Sequence, residues 1–490
     1  MKMKRICACL LCLLMLLGAI ACGNDTQKDT QTTTSGQSSD TTTGETTTTE
    51  AKETLDIPDT NYNTTFNILM TGNWKYNDFE AENIYGEPIN DARYQVNSML
   101  KDLYGITVAV KNDTGVHATG AGNGFTAVQK QVTSGSKDYD LVSIGCYDIA
   151  TLAYSGYLYD LNTVENVNLS KSWYDQKCVE QLAVGGRNYF ITGDAMTLDN
   201  DCTYCILFNK TVRTDNKLED PYTLVKNNQW TFDKFLEMIN ACGNDLNGDG
   251  QYTADDAYGA IVWTDSIIGM LHASGGRFAT ISEDGKFSVT LDTERNINVM
   301  TAWINEKETD KCFFNNGGTS EADHAPFTEN RCLFYTRYIK AAGWFRDSTL
   351  DFGILPYPKW DNDQSEYNVT MHAYGTSYLA VPAGVNDSAM SGAMLEALSY
   401  YGQEYLTPAY YDTTLIGKSI RDEESAEMLD IIFASRFYDI GAFYQIGGLN
   451  ETVNTMMRNG ATNFSSVFKA ASRVAKSQID KISVAFDAIK

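Results

Sequence analysis

The densest run of chemistry-bearing residues lies between Asp245 and Asp256. Asp245, Asn247 and Asp249 put side-chain oxygens at positions 1, 3 and 5 of a twelve-residue loop, and Gly250 takes the sharp turn at position 6. The Gln251 carbonyl serves position 7, Thr253 serves position 9 through water, and Asp256 closes position 12. A hard divalent cation takes about six to eight oxygen ligands, so this spacing predicts a structural calcium loop. Asp256 stands where Glu is usual, and its shorter arm binds with one oxygen or draws the loop tighter. The alternative for the same residues is a solvated Asp/Asn/Gly turn. No candidate nucleophile lies nearby in sequence, so the loop is expected to staple a lobe rather than to do chemistry.

Other reactive residues are dispersed. Cys146, Cys178, Cys202, Cys205, Cys242, Cys312 and Cys332 are odd in number and irregular in spacing, which does not read as a disulfide framework. Cys202 and Cys205 form a lone C-x-x-C that runs into the apolar Ile206-Leu207-Phe208, without a second pair or a nearby histidine, so buried free thiols are expected rather than zinc. His117, His272, His324 and His372 lack metal-ligand spacing. Nucleophile elbows, zinc-protease motifs, P-loops and dinucleotide fingerprints are missing. A pair of glycosidase-like carboxylates cannot be singled out in so acidic a chain.

The net charge of −25 argues against nucleic acid as a partner and provides no basic membrane-binding patch. At the N-terminus, Lys2, Lys4 and Arg5 precede an apolar run from Ile6 to Gly18, followed by Ala19-Ile20-Ala21-Cys22. This order reads as a secretory signal. It resembles the lipobox of bacterial lipoproteins, with Ala19 at the usual Leu position, which implies lipidation at Cys22 and a chain anchored at the extracellular face of the cell membrane. Residues 23–55 are dominated by Thr, Ser, Asp, Gln and Gly and read as a disordered tether. The alternative for 1–22 is a cleaved signal that releases the protein.

The elements that must position any site begin at Phe66-Asn67-Ile68-Leu69-Met70, a strand. A helix opening at Asp91 carries Ala92, Val96, Met99, Leu100 and Leu103 at helical spacing and ends at Gly105. A strand over 106–110, a helix over 125–132 and a strand over 140–144 follow. This alternation predicts an open, mostly parallel α/β sheet with ligand beyond the strands' carboxyl ends. Thr231 and Thr293 cap later helices, and strands end at Pro356 and Pro382. The C-terminal third is rich in helices.

Several segments in order resemble an extracellular solute-binding protein of ABC importers, family 1, the group that contains the maltose-binding protein. They are Tyr139-Asp140-Leu141-Val142 before Gly156-Tyr157-Leu158-Tyr159-Asp160-Leu161, then Gly186-Arg187-Asn188-Tyr189, Leu207-Phe208-Asn209-Lys210, the looser Thr231-Phe232-Asp233-Lys234, and Asp351 to Pro358. The resemblance covers most of 63–490. It implies an α/β, two-lobed periplasmic-binding-protein-like fold over 56–490 with a cleft between the lobes. Lobe one is expected at about 60–195 and 335–405, lobe two at about 196–334 and 406–490, with crossings near 190–195 and 332–335. The expected ligand-binding residues stand just past strand ends, at Trp74, Tyr147, Asp148, Trp263, Asp265, Arg337 and Tyr338, just before the strand at Ser377, at His372 and Tyr374, and in a late C-terminal loop, at Tyr444. Trp and Tyr would stack on a sugar ring, and Asp and Arg would take hydroxyls. The implied function is a non-enzymatic receptor that hands a mono- or oligosaccharide to ABC permease subunits. A surface-anchored polysaccharide hydrolase, or a receptor for a peptide or other small solute, are the alternatives.

Overall fold

The computed structural model describes residues 53–72, 74, 76–113, 121–411 and 422–489. The expected signal segment 1–22, Cys22 and the tether up to residue 52 lie outside the described residues. Glu53–Lys490 forms one compact unit. Among the described residues no helix is long and apolar enough to cross a membrane, and all seven cysteines there are buried and free.

The chain opens with β1 (Thr64–Thr71), β2 (Ile106–Asp113) and β3 (Leu141–Gly145). Helix Pro88–Tyr104 joins β1 to β2 and begins three residues before Asp91. Glu87 accepts the Asn90 amide and Pro88 takes the first helical position, where a missing N–H costs nothing. Gly105, at φ 66°, ends the helix in the left-handed conformation that suits glycine. Further along come β4 (Tyr204–Asn209), β5 (Tyr258–Trp263), β6 (Ala279–Ile281), β7 (Phe287–Val289), β8 (Cys312–Asn315), β9 (Cys332–Tyr338), β10 (Phe352–Leu355), β11 (Val369–Thr370), β12 (Ser377–Ala380) and β13 (Arg436–Phe437). Thr231 and Thr293 cap their helices as expected.

Two sheets carry the fold. The first has the order β12-β3-β1-β2, with β1 parallel to β2 and β3 and β12 antiparallel to β3. The second has the order β10-β4-β9-β5-β8. There β5 runs parallel to β8 and β9, while β4 runs antiparallel to β9 and β10. A separate hydrophobic core lies on each sheet, so the unit is built as two lobes. In the second lobe helix Phe232–Asn240 lies directly on β5: a side chain at Gly259 would stand 2.2 Å from the Ile239 carbonyl oxygen.

The expected lobe boundaries need correction. Both β9 and β10 belong to the second sheet, so the chain does not return to lobe one at 335. β9 is buried along its whole length between β4 and β5, and such a continuous apolar run does not reveal which sheet it enters. The return lies near 371–377, where Thr203 pairs with Met371 and Ile191 with Leu379, so that two crossings run side by side. Nor is 406–490 wholly in lobe two. Met428, Leu429, Ile432, Val453 and Phe464 pack in the second core, but Tyr438, Phe443, Tyr444, Ile482 and Phe486 pack in the first.

Candidate functional site

A cavity of about 440 Å³ opens where the lobes face each other. Tyr147, in the first turn of the helix after β3, comes from lobe one, and Asp265, just past β5, comes from lobe two. Between them His372 and Tyr374 sit on the crossing that joins β11 to β12. The positions named by the sequence thus supply four cavity residues.

His372 is the hub. Its ring stacks on Tyr338 at 5.5 Å and 14°. Trp263, Trp74 and Tyr374 pack around it at 5.5, 5.6 and 6.1 Å. Its Nε2 lies 3.2 Å from Asp265 Oδ2, and Asp265 Oδ1 accepts the Asn454 amide at 2.9 Å. Asn450 donates to the Tyr147 hydroxyl at 3.1 Å, and the Tyr147 and Tyr374 rings are 6.4 Å apart. Burial pushes the Tyr147 phenol up and the Tyr338 phenol up to about 12, so both remain protonated hydroxyls at neutral pH.

Trp263, Tyr338 and Arg337 form a layer behind this wall. Trp263 is only 4 % exposed. The Arg337 guanidinium lies over its ring at 4.6 Å. Arg337 Nη2 donates to the carbonyls of Gly317 and Gly318 at 3.2 and 3.1 Å, so it braces the tryptophan rather than offering a fork to the cavity. Trp74 is half-buried beside Tyr338 at 5.0 Å, with Lys340 over its ring at 4.4 Å.

Two expected residues sit elsewhere. Asp148 is fully buried and accepts the amides of Gly122 and Phe125 at 2.9 and 3.4 Å, which caps helix Asn123–Ser134. Successive helical side chains diverge by about 100°, so Tyr147 and Asp148 cannot both face the cleft. Tyr444 is buried in the first core against Phe287, Phe486 and Tyr154 at 5.5, 6.0 and 6.4 Å. Conversely, the sequence reading missed Tyr204, Asn450 and Asn454, which line the cavity. Asn450, Asn454 and Arg458 recur every four residues on helix Leu449–Asn459. That polar row on one helical face was the available signal.

A buried polar knot closes the cavity's far wall. His272 Nδ1 lies 2.7 Å from Thr370 Oγ1, and Nε2 lies 2.9 Å from Asp439 Oδ2. Asp439 also accepts the amides of Phe278 and Gly441 at 2.5 and 2.8 Å. The knot ties β11, helix Ser266–Ala273 and helix Ile440–Phe443 together.

The 245–256 loop lies before β5, at the opposite end of that strand from Asp265, about 20 Å away at strand rise. Asp245 accepts the amides of Gly248 and Gly250, both at 2.7 Å. Asn247 accepts that of Asp249 at 2.8 Å, and Asp249 that of Gln251 at 2.7 Å. Asp256 accepts Leu246 and Thr253 at 2.9 and 2.8 Å. An all-oxygen donor set fits a hard cation. In this arrangement the carboxylates turn to backbone N–H groups, and among the described residues no three His, Cys, Asp or Glu side chains stand close enough to hold a metal ion.

No protein-family model matches the sequence, and no curated protein sequence matches it. Solved structures do share its fold. The GacH receptor of Streptomyces glaucescens GLA.O, solved unliganded and with acarbose, is 13 % identical, with a TM-score of 0.54 over 86 % of this chain and 99 % of its own. The substrate-binding protein Lmo0181 of Listeria monocytogenes, in complex with cycloalternan, is 12 % identical, with a TM-score of 0.52 over 86 % and 99 %. The galacto-N-biose/lacto-N-biose I-binding protein of a Bifidobacterium longum ABC transporter, in complex with lacto-N-biose, is 13 % identical, with a TM-score of 0.56 over 87 % and 99 %. The chain therefore has the two-lobed fold of these binding proteins.

Proposed function

We propose that this protein is an extracellular receptor that binds a carbohydrate between its lobes and delivers it to an ABC-type importer. The observation that carries this reading is the interlobe cavity, where Tyr147 of one lobe and Asp265 of the other face a crossing that bears His372 and Tyr374. Aromatic faces set among a few polar groups suit a polyhydroxylated ring. Structures of the same fold in complex with acarbose, cycloalternan and lacto-N-biose support the choice of ligand class. The cavity draws on both lobes, so ligand contacts favour a closed arrangement over an open one. Reaction is not required: the ligand leaves as it entered.

The receptor is held at the membrane by lipid on Cys22, with 23–55 as its tether and calcium in the 245–256 loop as a structural cofactor. Support comes from Ala19-Ile20-Ala21-Cys22 and from the oxygen spacing of the loop.

A thermal-shift screen of the purified protein against mono- and oligosaccharides tests the function. The expected result is a ligand-dependent rise in Tm, with the sugar recovered intact by chromatography. Release of shortened sugars would show a hydrolase instead. For the anchor, Cys22→Ala is expected to leave unprocessed precursor or to move the protein into the medium, and unchanged membrane retention of the mature chain rejects lipidation.

A further inference from the structure

The charges of the cleft discriminate among carbohydrate ligands. Asp265, Asp439 and Glu451 line the cavity, and Arg458 is the one lysine or arginine among its described lining residues. Arg458 is paired with Glu451. Asp439 is held by His272 and three backbone amides. Asp265 is situated differently. Its oxygens take the neutral Asn454 amide and His372 Nε2, its side chain is 21 % exposed, and among the described residues no lysine or arginine lies within ion-pairing distance.

Two further features point to the same chemistry. Asn454 donates to Asp265, but its own Oδ1 is buried without a hydrogen-bond donor, and leaving such an acceptor unmade is costly. The rings of Tyr147 and Tyr374, 6.4 Å apart, line the same cavity, and aromatic faces attract cations. A sugar hydroxyl could hydrogen-bond to Asp265 but brings no charge with it. An ammonium group supplies N–H donors together with a positive charge beside the carboxylate oxygens.

We propose that the ligand is an amino saccharide whose ammonium group is received by Asp265, with Asn454 Oδ1 as second acceptor and the Tyr147 and Tyr374 rings alongside. This inference rests on the receptor reading above and narrows it to a cationic sugar.

Calorimetric titration of the full chain in detergent tests it with three matched sets. D-glucosamine, D-galactosamine and the β-1,4-linked glucosamine disaccharide are each compared with their N-acetyl form and their parent hydroxyl sugar. At least one amine is expected to bind at least about tenfold tighter than both of its counterparts. Asp265→Asn should erase that preference, so that the amine and its hydroxyl counterpart bind with equal affinity. The wild-type comparison needs no variant, so a poorly folding Asp265→Asn does not blunt the test. If saccharides bind but no amine of the three sets binds about tenfold tighter than both of its counterparts, the inference is overturned and the receptor reading stands. If no saccharide of either kind binds, both fall.

Discussion

Tyr147 and Asp148 are neighbours in sequence, yet one lines the cleft and the other caps a helix in lobe one. The same divergence separates the aromatic residues by role, and mutation should reveal it. Tyr374 is 42 % exposed, whereas Trp263 is 4 % exposed within the second core. Tyr374→Ala is expected to weaken ligand binding by about 1–3 kcal/mol while leaving stability within about 0.5 kcal/mol. Trp263→Ala is expected to cost about 3–5 kcal/mol of stability, because it opens a cavity beneath Arg337, Tyr204 and His372. Denaturant melts read beside calorimetric affinities separate the two effects. Equal losses of stability would refute the division into wall and backing layer.

At the scale of elements, the 245–256 loop is a self-contained turn whose carboxylates bind their own backbone. Calcium would compete for those oxygens and draw Asp245, Asp249 and Asp256 together. Chelator is expected to lower the Tm of the wild type, and Asp249→Ala to abolish that sensitivity. Sugar affinity should be unchanged by either, because the loop lies at the far end of β5 from Asp265. Identical melting with and without chelator would leave the loop a plain turn.

The whole molecule is seamed between its lobes by buried charge. Arg436 reaches Asp175 and Asp199 at 3.2 and 3.3 Å and also bonds Asn200. Nearby, Asp194 accepts the Thr407 and Gln403 side chains at 2.6 and 3.1 Å. Burial raises the Asp199 carboxyl to about 7 and the Asp194 carboxyl to about 6, against an ordinary value of 3.8. The folded state therefore holds these protons more tightly than the unfolded chain does. Their contribution to stability is greatest in acid and is lost as pH rises from about 4 through 7. Asp199→Asn is neutral at every pH, so the difference in stability between variant and wild type should move in the variant's favour across that window, by up to about 4 kcal/mol. Paired thermal melts from pH 5 to 8 provide the check, and a constant difference would mean that Asp199 is ionised throughout.

The amino-acid sequence by itself determined the local elements and the strand ends. The β1–β3 run with its helices, the Thr231 and Thr293 caps and the Gly105 stop follow from side-chain periodicity and capping chemistry, which act within a few residues of chain. It also indicated Tyr147 and Asp265, because ligands of open α/β sheets gather beyond strand ends, and His372 and Tyr374 just before the strand at Ser377. Only the tertiary structure decided which sheet received β9 and β10, because a strand buried on both faces carries no label of its partner. It alone placed Asn450 and Asn454 against Tyr147 and Asp265, across about 300 and 190 residues of chain. Such contacts are set by how whole elements pack, and no local pattern encodes them.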